Sequence, residues 1–145
     1  MNLPSLIKRL FGQTSESTTY TNLYDELGGE PAVRAIANRF YDIMATDAAA
    51  KELLAMHPQP MDAIALKFFE FLSGWLGGPQ LYIEKYGHPM LRARHLPFRI
   101  DTKMRDQWLY CMYQVIDEQV TTATLHNELR VRFTRLAHHM INTEA

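Results

Sequence analysis

An all-α fold is predicted by three features of the sequence. Leu, Ala and Met supply 39 of the 145 residues, against 12 for Val and Ile, a bias towards straight-chain helix formers over β-branched residues. Apolar side chains recur at spacings of three and four in four long stretches. Only seven Gly and seven Pro are present, which disfavours a sandwich or barrel with many turns. The length suits one domain with a sizeable core, and no internal repeat is visible.

The first 20 residues stand apart as an N-terminal extension to a domain spanning 21–145. Leu3, Leu6, Ile7, Leu10 and Phe11 surround Lys8 and Arg9, and a run of Gln, Thr, Ser and Glu follows. Charges that interrupt a short apolar segment do not make a secretory signal. A flexible extension or a short docked helix is expected, with a weak basic amphipathic membrane contact as the alternative.

Residues 22–27 read as one helical turn stopped by Gly28-Gly29. Pro31 suits a first helical position, and Val33, Ile36, Ala37, Phe40 and Met44 then mark one buried face, with Tyr41 at its edge. Residues 46–52 are expected to continue in helix until Pro58 and Pro60 break it. A second strong helix starts near Met61 or Asp62, carries Ile64, Phe68, Phe71, Leu72 and Trp75 on one face, and ends at Gly77-Gly78-Pro79. Between Gln80 and Arg99 only a short helix around residues 81–85 is expected. Asp101 or Thr102 caps the next helix, whose stripe is Met104, Trp108, Cys111, Met112 and Val115. Thr124 is the expected cap of the last, with Leu125, Leu129, Phe133, Leu136 and Met140 inward.

Several classes of function are disfavoured. A net charge of −1 gives no general electrostatic drive towards nucleic acid. The single Cys111 rules out an intramolecular disulfide framework and a cysteine-based zinc cluster, and its place in an apolar stripe suggests an inert thiol. No apolar run approaches the length of a membrane span, so stable membrane insertion is not expected and a cytoplasmic location is. Nucleophile elbow, P-loop and dinucleotide fingerprints are missing.

Of the six histidines, none forms an HExxH pair, and the adjacent His138 and His139 point about 100° apart on a helix. His126, His138 and His139 read as solvated helix residues. His95 is set differently, in Arg92-Ala93-Arg94-His95-Leu96-Pro97-Phe98. A lone imidazole holds a metal only when something else supplies the remaining ligands, as a porphyrin does. Arg92, Arg94 and Tyr82 are local candidates to meet the two propionates. A structural histidine in a turn is the alternative at this point.

The stretch Tyr-Gly-His-Pro-Met-Leu-Arg-Ala-Arg-His-Leu-Pro-Phe, residues 86–98, resembles the proximal haem segment of group II truncated haemoglobins, the two-over-two helical globins. The resemblance extends to Leu23-Tyr24-Asp25 with Gly28-Gly29, to Arg39-Phe40-Tyr41, to Gly77-Gly78-Pro79, and to Arg105-Asp106 with Trp108-Leu109 and Cys111-Met112. It runs from about Tyr24 to Met140. It implies a two-over-two helical sandwich around haem b (iron protoporphyrin IX), with His95 as proximal iron ligand. Phe40, Ile64, Lys67, Phe68, Tyr82, Leu91, Arg92, Arg94, Phe98 and Ile100 are the implied haem contacts. Tyr41 and Trp108 match the distal tyrosine and tryptophan, and His57 aligns with a position often held by tyrosine. Ile64 and Phe68 are apolar where many globins carry a donor, so ligand stabilisation falls to Tyr41, His57 and Trp108.

From these residues the expected function is binding of dioxygen, nitric oxide, carbon monoxide or peroxide. Redox detoxification, by nitric oxide dioxygenation or peroxide reduction with an unidentified reductase, is expected rather than oxygen transport. A haem-based gas sensor acting through a separate partner is the alternative. A haem-free helical module would instead close Trp108 and Phe68 into a solid core. A monomer or weak dimer is expected.

Overall fold

In a computed structural model, residues 20–144 are described, and the expectations for residues 1–19 lie outside them. Among the described residues eight α-helices follow one another and no strand is present. They are α1 (Leu23–Leu27), α2 (Glu30–Thr46), α3 (Lys51–Ala55), α4 (Asp62–Trp75), α5 (Leu81–Tyr86), α6 (Leu91–His95), α7 (Thr102–Gln119) and α8 (Ala123–His139). The four long helices pair as α2 with α4 and α7 with α8, and α2 also packs on α7. This is an all-α helical sandwich in the two-over-two arrangement of truncated globins.

The core lies where the long stripes meet. Val33, Ala37, Phe40 and Met44 of α2 are buried against Leu72 of α4, Met112 and Val115 of α7, and Leu129 and Phe133 of α8. Burying each such side chain contributes about 1.5–3 kcal/mol, so the paired helices need no help from intrinsic propensity. At the far edge, α1 is tied to the end of α4 by the Tyr24 N–H, which donates to the Leu76 carbonyl at 3.0 Å. Gly78 is required there, because a Cβ at that position would stand 2.4 Å from the Tyr24 ring.

Two local expectations are corrected. Residues 46–52 do not continue the helix. The chain turns extended at Asp47, whose carboxylate accepts from the Ala49 N–H at 2.9 Å and the Tyr110 hydroxyl at 2.7 Å. These local bonds replace the helical ladder, and the chain re-enters through a 3₁₀ turn, Ala48–Ala50, before α3. Thr124 does not cap α8. The helix begins at Ala123 after Thr122, whose side chain makes no capping bond. By contrast Asp101 caps α7, accepting from the Met104 N–H at 2.9 Å.

Candidate haem pocket

The apolar stripes of α4, α7 and α8 supply residues to a cavity as well as to the core. This cavity, which α6 also lines, is about 420 Å³. Ile64 and Phe68 of α4, Met104 and Trp108 of α7, and Leu136 and Met140 of the α8 end line it, so these residues of the apolar stripes face a ligand-sized space. The closed core required of a haem-free module is not what the structure has.

On one side of the cavity stands an aromatic group. The ring centroids of Tyr41, Phe68 and Trp108 lie within 5.8 and 6.3 Å along the chain of contacts, and Phe40 packs behind all three at 5.0–5.2 Å. Phe40 therefore braces the wall without lining it. The Tyr41 hydroxyl and the Trp108 indole N–H have no hydrogen-bond partner among the described residues. Burial pushes the Tyr41 phenol well above its ordinary range, which keeps it a neutral donor. His57 stands beside Tyr41, with ring centroids 6.0 Å apart. Its Nδ1 bonds the Leu53 carbonyl at 2.8 Å, leaving Nε2 without a protein partner.

Helix α6 presents Leu91, Arg94 and His95 to the same cavity. His95 Nδ1 donates to the Leu91 carbonyl at 2.6 Å, the bond that fixes a metal-binding tautomer and leaves Nε2 as the ligand atom. Tyr82, Phe98 and Ile100 also line the cavity. Lys67 and Arg94 flank Tyr82, with the amine 5.9 Å and the guanidinium carbon 5.6 Å from its ring centre, and neither is paired with a carboxylate among the described residues.

Arg92 departs from its expected place. It donates to the carbonyls of His139 and Ile141, both at 3.0 Å, and does not line the cavity. On a helix, Arg92 and Arg94 lie about 160° apart, so one turn cannot aim both guanidinium groups inward, and Arg94 takes the cavity side.

Other residues matter that sequence reasoning passed over. Arg105 lines the cavity and bonds Asp106 and His138. Buried Gln107 accepts from the Leu53 N–H at 2.9 Å and donates to Glu52 at 2.8 Å, so α7 holds the turn that carries His57. Lys103 and Gln107 together draw the Glu52 carboxyl down to about 2. A polar residue next to Trp108 was the available signal for Gln107. For Arg105, at the edge of the stripe, nothing in the pattern marks an inward side chain.

No group of three or more His, Cys, Asp or Glu side chains among the described residues is arranged to hold a metal ion. A metal at His95 must bring its other ligands with it. An apolar cavity, one imidazole with an unpartnered Nε2, and unneutralised Lys67 and Arg94 beside Tyr82 together fit a porphyrin carrying two carboxylates.

The fold and this cavity define a globin, and the chain belongs to the bacterial-like globin family, whose model matches residues 22–142. Its relatives narrow this to the group II truncated haemoglobins. A group 2 truncated haemoglobin of Bacillus subtilis is 39% identical over 118 residues, 81% of this chain and 87% of that one. A cold-adapted truncated haemoglobin from the Antarctic marine bacterium Pseudoalteromonas haloplanktis superposes with a TM-score of 0.84 at 57% identity, covering 86% of this chain and all of that one. A group II two-on-two haemoglobin from the plant pathogen Agrobacterium tumefaciens also gives 0.84, at 41% identity over 88% of this chain and 99% of that one.

Proposed function

We propose that this globin holds haem b on His95 and uses it for redox detoxification of small ligands, by nitric oxide dioxygenation or peroxide reduction, rather than for oxygen delivery. Bound haem supplies a site for diatomic ligands and a route for electrons. One observation carries the reading: two donors without protein partners, Tyr41 and Trp108, line a mostly apolar cavity together with His95, and the unpartnered His57 Nε2 stands beside Tyr41 as an acceptor.

Each donor stabilises a ligand that has gained negative charge, by about 1.5–3 kcal/mol per hydrogen bond. Two such bonds correspond to a slowing of ligand release by roughly a hundredfold or more, which suits a ligand that is to react and not one to be delivered. Ile64 and Phe68 contribute no hydrogen bonds and keep water away, which strengthens the donors that remain. Lys67, Arg94 and Tyr82 would hold the carboxylate edge of the haem. With its Nδ1–H committed to the Leu53 carbonyl, the His57 Nε2 lone pair is suited to take a proton from one peroxide oxygen and return it to the other. Electrons then come from a separate reductase.

The test is direct. Oxygenated holoprotein is mixed with nitric oxide, and ferric holoprotein with hydrogen peroxide and a reducing dye, each beside His57→Leu. Fast nitrate formation or peroxide turnover supports the reading, with His57→Leu slowing the peroxide reaction. If both rates are no better than those of free haemin and dioxygen leaves quickly, the redox reading is wrong.

A further inference from the structure

Helix α6 is five residues long, too short to persist on its own hydrogen bonds, and none of its residues is fully buried. The bond from His95 Nδ1 to Leu91 fixes the ring to the turn, not the turn to the molecule. Leu91 packs against the core and Arg94 donates to the Tyr86 and His88 carbonyls, and a further set of ties comes from chain more than forty residues later. Asn142, just past the end of α8, uses its whole amide. Its Oδ1 accepts from the Ile100 N–H at 3.0 Å, and its Nδ2 donates to the carbonyls of His95 at 3.2 Å and Phe98 at 2.9 Å. Its backbone N–H also donates to the Ile100 carbonyl at 2.9 Å. From the other side, Arg92 of α6 grips the carbonyls of His139 and Ile141. The two sets of bonds run in opposite directions between the same two segments.

We propose that residues 139–142 form a latch that positions His95, with Asn142 as its positioning residue and Arg92 as the second tether. The inference rests on the reading of His95 as the iron ligand. Asn suits the position chemically. The site requires one acceptor and two donors on a short stem, and an aspartate would set carboxylate oxygen against two carbonyls. Without the amide, three backbone groups around the turn turn to water and α6 is free to shift, carrying the imidazole off the direction that a strong iron bond needs.

The test compares purified holoproteins: wild type, Asn142→Ala, Asn142→Asp, Arg92→Met and Tyr113→Phe. Two quantities are read, the iron–histidine stretching band of the ferrous protein and the rate at which the ferric protein loses haemin to excess apomyoglobin. Tyr113 is the control, because it bonds Thr134 between α7 and α8 and stacks on Arg130, apart from the latch. Supporting partners of metal ligands are worth about 10–100-fold in metal affinity, so Asn142→Ala should lose haemin about tenfold faster and shift or broaden the band. Asn142→Asp should do the same, Arg92→Met should do so less, and Tyr113→Phe should lower heat stability alone. If Asn142→Ala does not fold, Asn142→Asp decides. A haem-loaded wild type with unmoved Asn142 variants overturns the latch alone, as does a Tyr113→Phe protein that shifts both readouts equally. A wild type that takes up no haemin overturns the haem reading and the latch with it.

Discussion

The two sides of the cavity are built in opposite ways. At the aromatic wall, Tyr41 and Trp108 sit on long helices and pack on the buried Phe40, so their positions follow from core packing. At the other wall, His95 sits on a single turn held by Leu91 and by hydrogen bonds to backbone atoms, with Leu96 and Phe98 exposed beside it. Packing fixes a side chain by excluding alternatives, and many contacts share the load. A tether fixes a turn through a few directional bonds, so single substitutions there act on position with little effect on the fold. His57 lies between these cases, on a turn anchored by one buried glutamine.

Substitutions can sharpen that contrast. The largest effect is expected for His95→Ala, which should purify with little haem and show no Soret band after haemin is added, while circular dichroism stays helical because α6 contributes little to the core. On the distal side, Trp108→Phe and Tyr41→Phe keep the packing and remove one donor each. Each should speed dioxygen release by about tenfold or more, measured by stopped flow, since one such bond is worth about 1.5–3 kcal/mol. An unchanged rate for either would remove that residue from ligand stabilisation.

Gln107→Ala should destabilise the protein by about 1–3 kcal/mol in urea titration, because the buried Leu53 N–H is left unpaired, and should also loosen His57. Acid should act on the same anchor. The Glu52 carboxyl is lower in the folded protein than its usual 4.5, so its bonds to Lys103 and Gln107 contribute fully above that pH. They are lost as pH falls through about 2, and peroxide turnover that depends on His57 should not change on this account between pH 6 and 8. The smallest effect belongs to Cys111→Ala. Its thiol is buried and pushed up to about 11, chiefly by burial, so ligand kinetics should be unaltered and thiol reagents should leave the native protein untouched at neutral pH.

The amphipathic stripes determined by themselves that this chain is helical, which faces turn inward, and, with the segment at residues 86–98, that a haem globin was the family to expect. Periodicity records that a side chain avoids water, and a cavity wall and a core avoid it alike. Hence Leu72 could not be told from Phe68, nor Phe133 from Leu136. Only the tertiary packing of α4, α6, α7 and α8 around the cavity decided which residues face it. Asp47 ended a helix that its neighbours would have continued, because its carboxylate met Tyr110, 63 residues away. Arg92, read from its neighbourhood as a propionate partner, turned instead to the carbonyls beyond α8. The roles of Gln107 and Asn142 exist only as hydrogen bonds between segments more than forty residues apart, and local sequence has no pattern for those.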